Sequence, residues 1–357
     1  MKRLLTFIIT VLTACGLLII GSIHLQKNQH IQSDKILNLY NWGDYIDPQL
    51  IKKFERETGY HVNYETFDSN EAMFTKIKQG GTSYDLTVPS DYMIAKMKAA
   101  HLLIPLDKSK LHGLQNIDPR FMNLSFDPHN KYSIPYFWGT LGIIYNDKFI
   151  KPGTIQHWQQ LWSPQYRNDI MLVDSARDIM GMSLISMGKS INTTNPATLE
   201  AAKQKLDKLS PNVKAIVSDE IKTDMAQNDA PLAVDWSGEA SEMISDNPHL
   251  HYVVPSEGSN LWFDNLVIPK TAKHFKAIYA FLNFMLEPQN AAQNAEYVGY
   301  ATPNKAALRL LPASVRNDKQ FYPDLKTMNN LEVYKNLSPK DVELYNDLFL
   351  EFKMYNK

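Results

Sequence analysis

The sequence predicts an α/β protein built from two successive units, each a mostly parallel sheet with helices on its faces. Three observations carry this prediction. Strand-like and helix-like segments alternate as β-α-β-α-β-α, with short connections, from Lys35 to Ala100. A second alternation begins near the apolar run Leu141-Gly142-Ile143-Ile144-Tyr145-Asn146. The chain has 357 residues, enough for two domains of ordinary size.

The amino terminus stands apart. Lys2 and Arg3 precede Leu4 through Ile23, a run without a charge. A positive start followed by an apolar run is an export signal, and this one is long enough to span a bilayer. Basic residues on its short side place the rest of the chain outside. Leu12-Thr13-Ala14-Cys15 resembles a bacterial lipoprotein processing box, but Leu17 to Ile20 stay apolar after the Cys. An uncleaved anchor is preferred over lipid on Cys15, and either tethers an exported protein to the membrane. Residues 1–34 are thus read as signal or anchor plus a polar stalk. Cys15 is the only cysteine, which excludes disulfide and thiol chemistry in the exported body. Without Lys2 and Arg3 the chain carries 35 basic and 38 acidic residues, a net of −3 that argues against nucleic acid as a partner.

The first strand, Lys35 to Tyr40, alternates apolar and polar residues. It runs into the turn Asn41-Trp42-Gly43-Asp44-Tyr45. Asp47 then suits a helix N-cap, Pro48 the first turn, and Gly59 the stop, with Leu50, Ile51 and Phe54 on one face. His61 to Phe67 is the next strand, and Ser69-Asn70-Glu71 opens a helix closed by Gly80-Gly81. Tyr84 to Pro89 is a strand, Ser90-Asp91-Tyr92 its turn, and Met93 to Ala100 a helix. Two acidic-aromatic turns therefore lie on the same edge of one parallel sheet, the edge where open α/β sheets bind ligands. Aromatic faces and carboxylates both attract cations.

In the second unit, Ser133 to Gly139 leads into the strand at Leu141. His157 to Trp162 reads as a short helix, and Ile170 to Val173 as a strand. The turn Asp174-Ser175-Ala176-Arg177-Asp178 opens a helix to Met187, and Pro196 to Leu209 is an amphipathic helix capped by Asn195. Ala215 to Val217 and Leu232 to Val234 read as short buried strands. The second ends in another acidic-aromatic turn, Asp235-Trp236-Ser237-Gly238-Glu239. His251 to Pro255 and Leu261 to Ile268 are strands. In the latter, Trp262 and Asp264 share a face, so the carboxylate needs a partner, either a bound cation or a structural Arg. From Thr271 the chain is mainly helical, with a break at Glu287-Pro288, and Tyr300 precedes the turn Ala301-Thr302-Pro303-Asn304.

Several chemistries find no support. There is no Gly-x-Ser-x-Gly elbow, no His-Glu-x-x-His and no Gly-x-Gly-x-x-Gly. Gly188-Lys189-Ser190 lacks the earlier glycine of a phosphate loop, where Ser183 stands. His249 and His251 have no nearby Cys, so no zinc site is expected. A carboxylate pair among aromatics, such as Asp235 and Glu239, would also suit a glycoside hydrolase cleft.

From Ile36 to the carboxyl terminus the chain resembles the spermidine/putrescine-binding proteins of bacterial ATP-driven polyamine importers. The resemblance rests on Tyr40 to Tyr45, Thr66 to Glu71, Val88 to Tyr92, Ser133 to Tyr136, Trp262 to Asp264 and Val298 to Asn304. It implies the two-lobed periplasmic-binding-protein fold of type II, closing on its ligand about crossing hinge strands. The expected parts are residues 35–141 and 263–357 for lobe 1, and 142–262 for lobe 2. Family positions that line the polyamine slot fall on Trp42, Asp44, Tyr45, Ser90, Tyr92, Asp178, Trp236, Trp262, Asp264 and Tyr300. Asp44 stands where the family often has glutamate, Ser175 where it has an acid, and Tyr334 where it has a glutamine. These departures bear on the preference between spermidine and putrescine. The reading that follows is a monomeric extracytoplasmic receptor that hands polyamine to ABC-transporter permease subunits. It has no catalytic residues, no metal and no cofactor. The alternatives are a same-fold receptor for another small organic cation and, from another class, the secreted glycoside hydrolase.

Overall fold

The computed structural model describes residues 35–218 and 220–355. The expected signal, anchor, stalk and Cys15 lie outside these residues. No helix among them is long and apolar enough to cross a membrane.

The first lobe opens with β1 (Ile36–Trp42), α1 (Pro48–Thr58), β2 (His61–Phe67), α2 (Asn70–Gln79), β3 (Leu86–Thr87), α3 (Asp91–Ala99) and β4 (Leu103–Ile104). The cap signals act as read for two of the helices. Asp47 accepts from the Gln49 N–H at 2.8 Å, and Ser69 from the Ala72 N–H at 3.2 Å. Ser90 occupies the N-cap position of α3 but makes no cap bond; its hydroxyl is used elsewhere. Strands β1, β2 and β3 are parallel. Alternation along β1 sends Leu37 and Leu39 to the face packed by Leu50, Phe54 and Phe281. Tyr40 goes to the opposite face, with Met73, Ile77 and Met93.

Strand β5 (Ser133–Asn146) is one continuous element of 14 residues, entirely buried. The sequence suggests a lead-in, Ser133 to Gly139, followed by a separate strand from Leu141 to Asn146; the observed strand is continuous and contains two glycines, Gly139 and Gly142. Packing explains both glycines. A Cβ on Gly139 would lie 2.3 Å from the Trp262 ring, and one on Gly142 2.4 Å from the Tyr252 ring. From Ser133 to Thr140, β5 pairs antiparallel with β10 (Ser259–Pro269); from Leu141 it pairs with β8 (Leu232–Trp236) and β9 (Leu250–Val253). This switch carries the chain from one sheet to the next.

The second lobe adds β6 (Ile170–Val173), α4 (Ala176–Ile185), α5 (Pro196–Asp207), β7 (Val213–Val217), α6 (Glu220–Ala226) and α7 (Ser237–Asp246). Strands β7, β6 and β8 run parallel. The full order is β2-β1-β3-β10-β5-β8-β6-β7, parallel in the outer strands and antiparallel through the crossing strands. Asn195 accepts from the Thr198 N–H at 2.9 Å, and Asn195→Ala is expected to lower stability by about 1 kcal/mol in a denaturant titration.

The carboxyl-terminal part comprises α8 (Phe275–Leu286), α9 (Pro288–Val298), α10 (Lys305–Leu308), α11 (Ala313–Arg316), α12 (Leu325–Met328), β11 (Leu331–Glu332) and α13 (Pro339–Tyr355). Helices α8 and α9 cover the first lobe, but α13 packs on α4 and α5. Tyr334, Tyr345, Leu348, Phe349 and Phe352 belong to the second core. Assigning all of 263–357 to lobe 1 therefore does not fit this last helix. Three further differences are local. The expected strand at 84–89 shortens to Leu86–Thr87, although the Pro89 carbonyl still accepts from the Asn265 N–H at 3.0 Å. Strand β7 is an edge, only half-buried. Helices α6 and α7 are not evident in the sequence: α6 is only seven residues long, and in α7 Ser237-Gly238 reads as a turn and Ser, Glu and Gly leave few apolar positions.

Candidate functional site

Two buried carboxylates organise the site, one on each lobe. Asp264 lies on β10 and is 7% exposed. Its two oxygens accept from the Tyr45 hydroxyl at 2.6 Å and the Ser90 hydroxyl at 2.7 Å. Asn70 holds Ser90 in turn, donating to its Oγ at 3.0 Å and accepting its backbone N–H at 3.1 Å. Of the two partners the sequence allows, a structural Arg is not found: among the described residues Asp264 makes no ion pair, and its protein partners are two neutral hydroxyls. Burial outweighs these bonds and pushes the Asp264 carboxyl up to about 6.

Asp178, in the first turn of α4, is 6% exposed. It accepts from the Ser175 hydroxyl at 2.6 Å, the Tyr334 hydroxyl at 2.8 Å and the Trp236 indole N–H at 3.3 Å. Burial raises its pKa as well. Arg177 is its neighbour in sequence but stacks on the Tyr334 and Tyr345 rings, 4.4 and 5.0 Å from their centroids. Among the described residues no ion pair reaches Asp178 or Asp264.

The aromatics are fixed with equal care. The Trp42 indole N–H donates to the Val88 carbonyl at 2.8 Å, which ties the first turn to the end of β3. Tyr45 is buried against Tyr136, Phe137 and Tyr300. Trp262 is half-buried and meets Tyr300 edge to face at 5.1 Å. Its indole N–H is buried without a hydrogen-bond partner, a donor left free in the wall. Tyr92 packs against both the first and second cores, so it spans the junction. Three of these residues share one local device. An Asx side chain accepts the N–H of the aromatic that follows it: Asn41 for Trp42 at 2.9 Å, Asp91 for Tyr92 at 2.6 Å and Asp235 for Trp236 at 2.8 Å.

The structure gathers most of the expected residues around the two carboxylates. Tyr45, Ser90, Trp262, Asp264 and Tyr300 form one nest, and Asp178 and Trp236 the other, with Trp42 at the end of β1 and Tyr92 in the first turn of α3. Asp44 stands exposed, in the left-handed region at φ 48°, and makes no side-chain hydrogen bond among the described residues. Tyr334 and Ser175, which depart from the family pattern, both hold Asp178. Asp235 and Glu239 do not face each other across an open cleft. Asp235 is buried and accepts from the Trp236 backbone N–H, and Glu239 is engaged by Tyr300 at 2.8 Å and Lys222 at 3.0 Å. Among the described residues no group of His, Cys, Asp or Glu could hold a metal ion.

Two lobes joined by crossing strands, with acids and aromatics gathered where they meet, define a two-lobed receptor for a small solute. The sequence pattern of bacterial extracellular solute-binding proteins matches residues 49–323, and the chain belongs to that family. It is 41% identical, over 90% of its length and 91% of the relative's, to the spermidine/putrescine-binding periplasmic protein of Salmonella typhimurium. It is 33% identical to the putrescine-binding periplasmic protein PotF of Escherichia coli, over 86% of this chain and 88% of that one. Among solved structures it is similar to the spermidine/putrescine ABC transporter substrate-binding protein PotD of Streptococcus pneumoniae. That match has a TM-score of 0.85 and 58% identity, covering 90% of this chain and all of that one.

Proposed function

We propose that this protein is an exported receptor that captures a polyamine, spermidine or putrescine or both, and delivers it to the permease of an ATP-driven importer. One observation carries the reading: two buried carboxylates on opposite lobes have only neutral donors as partners. Each is a site for an ammonium group. Removing water from such a charge costs several kcal/mol unless a carboxylate replaces it. Trp42, Trp236, Trp262 and the tyrosines offer faces for the methylenes between the charges, at roughly 0.8 kcal/mol per buried CH₂. Cation–π attraction adds on the order of 1–2 kcal/mol at desolvated indoles. The names of the relatives point to the same ligand class.

In this reading the receptor acts as a monomer, tethered outside the cytoplasmic membrane by residues 4–23 or by lipid on Cys15. Lobe 1 is 35–141 with most of the chain after 262, and lobe 2 is 142–262 joined by α13. Thermal unfolding tests the ligand class. Spermidine or putrescine at about one hundred times its Kd should add about 2.7 kcal/mol of stability, a rise of several degrees, while a neutral sugar should add nothing. A rise with the sugar and none with either polyamine would refute the reading.

A further inference from the structure

Tyr300 belongs to the first lobe but is held by the second. The helix before it ends at Gly299, whose left-handed φ of 83° turns the chain so that Tyr300 points back across the junction. Its ring meets Tyr45 at 5.5 Å and Trp262 at 5.1 Å, both in the Asp264 nest. The ring also covers Gly238, in the first turn of α7 on the second lobe. A Cβ at Gly238 would fall 1.4 Å from Tyr300 Cε1 and 1.7 Å from Cδ1. Gly238 has no left-handed backbone to explain it, and a helix accepts alanine better than glycine. Close approach by the Tyr300 ring is what requires glycine there. The Tyr300 hydroxyl donates to Glu239 Oε1 at 2.8 Å. Lys222, on α6, holds the other Glu239 oxygen at 3.0 Å and Glu242 at 3.1 Å.

We propose that Gly238, Glu239 and Lys222 are positioning residues of the ligand site: they form a socket on the second lobe that receives Tyr300 from the first and sets it as a wall of the slot. The inference rests on the solute-receptor reading but not on the identity of the solute. Every contact in the socket is between protein atoms, so Tyr300 seats with or without ligand, and seating holds the lobes together.

Electron-electron distance measurements on the full chain test this. Cys15→Ser removes the native thiol, and Arg56→Cys with Gln204→Cys places one spin label on each lobe, at exposed helix positions. The ligand-free reference protein should show a short-distance population. Gly238→Ala should deplete that population several-fold and weaken spermidine binding at least tenfold, with thermal unfolding unchanged. Glu239→Ala should deplete it too, whereas Glu239→Gln, which still accepts from Tyr300, should retain most of it. Unaltered distances in both Gly238→Ala and Glu239→Ala would overturn the socket, as would a ligand-free reference with no short-distance population. If Gly238→Ala does not fold, the Glu239 pair decides alone. A reference protein that shows the distance changes but binds no spermidine would refute the polyamine reading and leave the socket standing.

Discussion

Asp264→Ala is expected to weaken polyamine binding by roughly 2–5 kcal/mol, about thirty-fold to several thousand-fold in Kd. The substitution leaves an ammonium group enclosed by Tyr45, Ser90 and Trp262 with no counter-charge. The same change should not destabilise the empty protein greatly, because Asp264 is a desolvated charge with only hydroxyl partners. Asp264→Asn separates charge from shape: it keeps an acceptor for one hydroxyl and removes the charge. It should lose most of the affinity as well. A calorimetric loss under about 0.5 kcal/mol for Asp264→Ala would remove this residue from the site.

Affinity is also expected to fall about tenfold as pH is lowered from about 7.5 to about 5. Binding an ammonium group requires Asp264 ionised, and its carboxyl titrates at about 6 in the folded protein. Below that value each pH unit costs about a factor of ten. Asp178 is raised by burial too, so it acts in the same direction. The empty protein should respond in the opposite sense. A carboxyl whose folded pKa is raised contributes stability that is fully present below its unfolded pKa and is lost as pH rises through the folded value. For Asp264 that window runs from the ordinary carboxyl value of 3.8 to about 6, and the loss is about 3 kcal/mol. Asp91 and Asp235, held well above the usual carboxylate range by burial, add to it. Melting temperature without ligand should therefore rise from about pH 7.5 to about pH 5, while affinity drops. Affinity constant across this range would show that Asp264 does not carry the ligand's charge.

Local physics explains how far the sequence could be read. Helix starts were legible at Asp47, Ser69 and Asn195 because a cap is a contact between residues two or three apart. The acidic-aromatic turns were legible for the same reason: strand, turn and helix signals sit within a dozen residues. Ser90 marks the limit. It sits where a cap residue should, but its hydroxyl goes to Asp264, 174 residues away. The partners of Asp178 were hidden in the same way, since Tyr334 is 156 residues distant and follows no pattern of its own. Tyr300 entered only through family resemblance, for it lies beyond a helix rather than at a strand end. The exposed Asp44 shows the converse, as a carboxylate in the right turn that the fold leaves outside both nests. Gly139, Gly142 and Gly238 give no sign in the sequence of what they pack against. Each lies against an aromatic ring brought from elsewhere in the chain, a cause that only the tertiary structure displays.

Isothermal titration of the chain from Gln32 onward with spermidine, then with putrescine, at moderate salt, tests the central claim most directly. The account predicts saturable one-to-one binding at micromolar affinity or tighter for at least one of the two, with the ratio of affinities setting the preference. No heat with either polyamine, together with no thermal stabilisation, would contradict it.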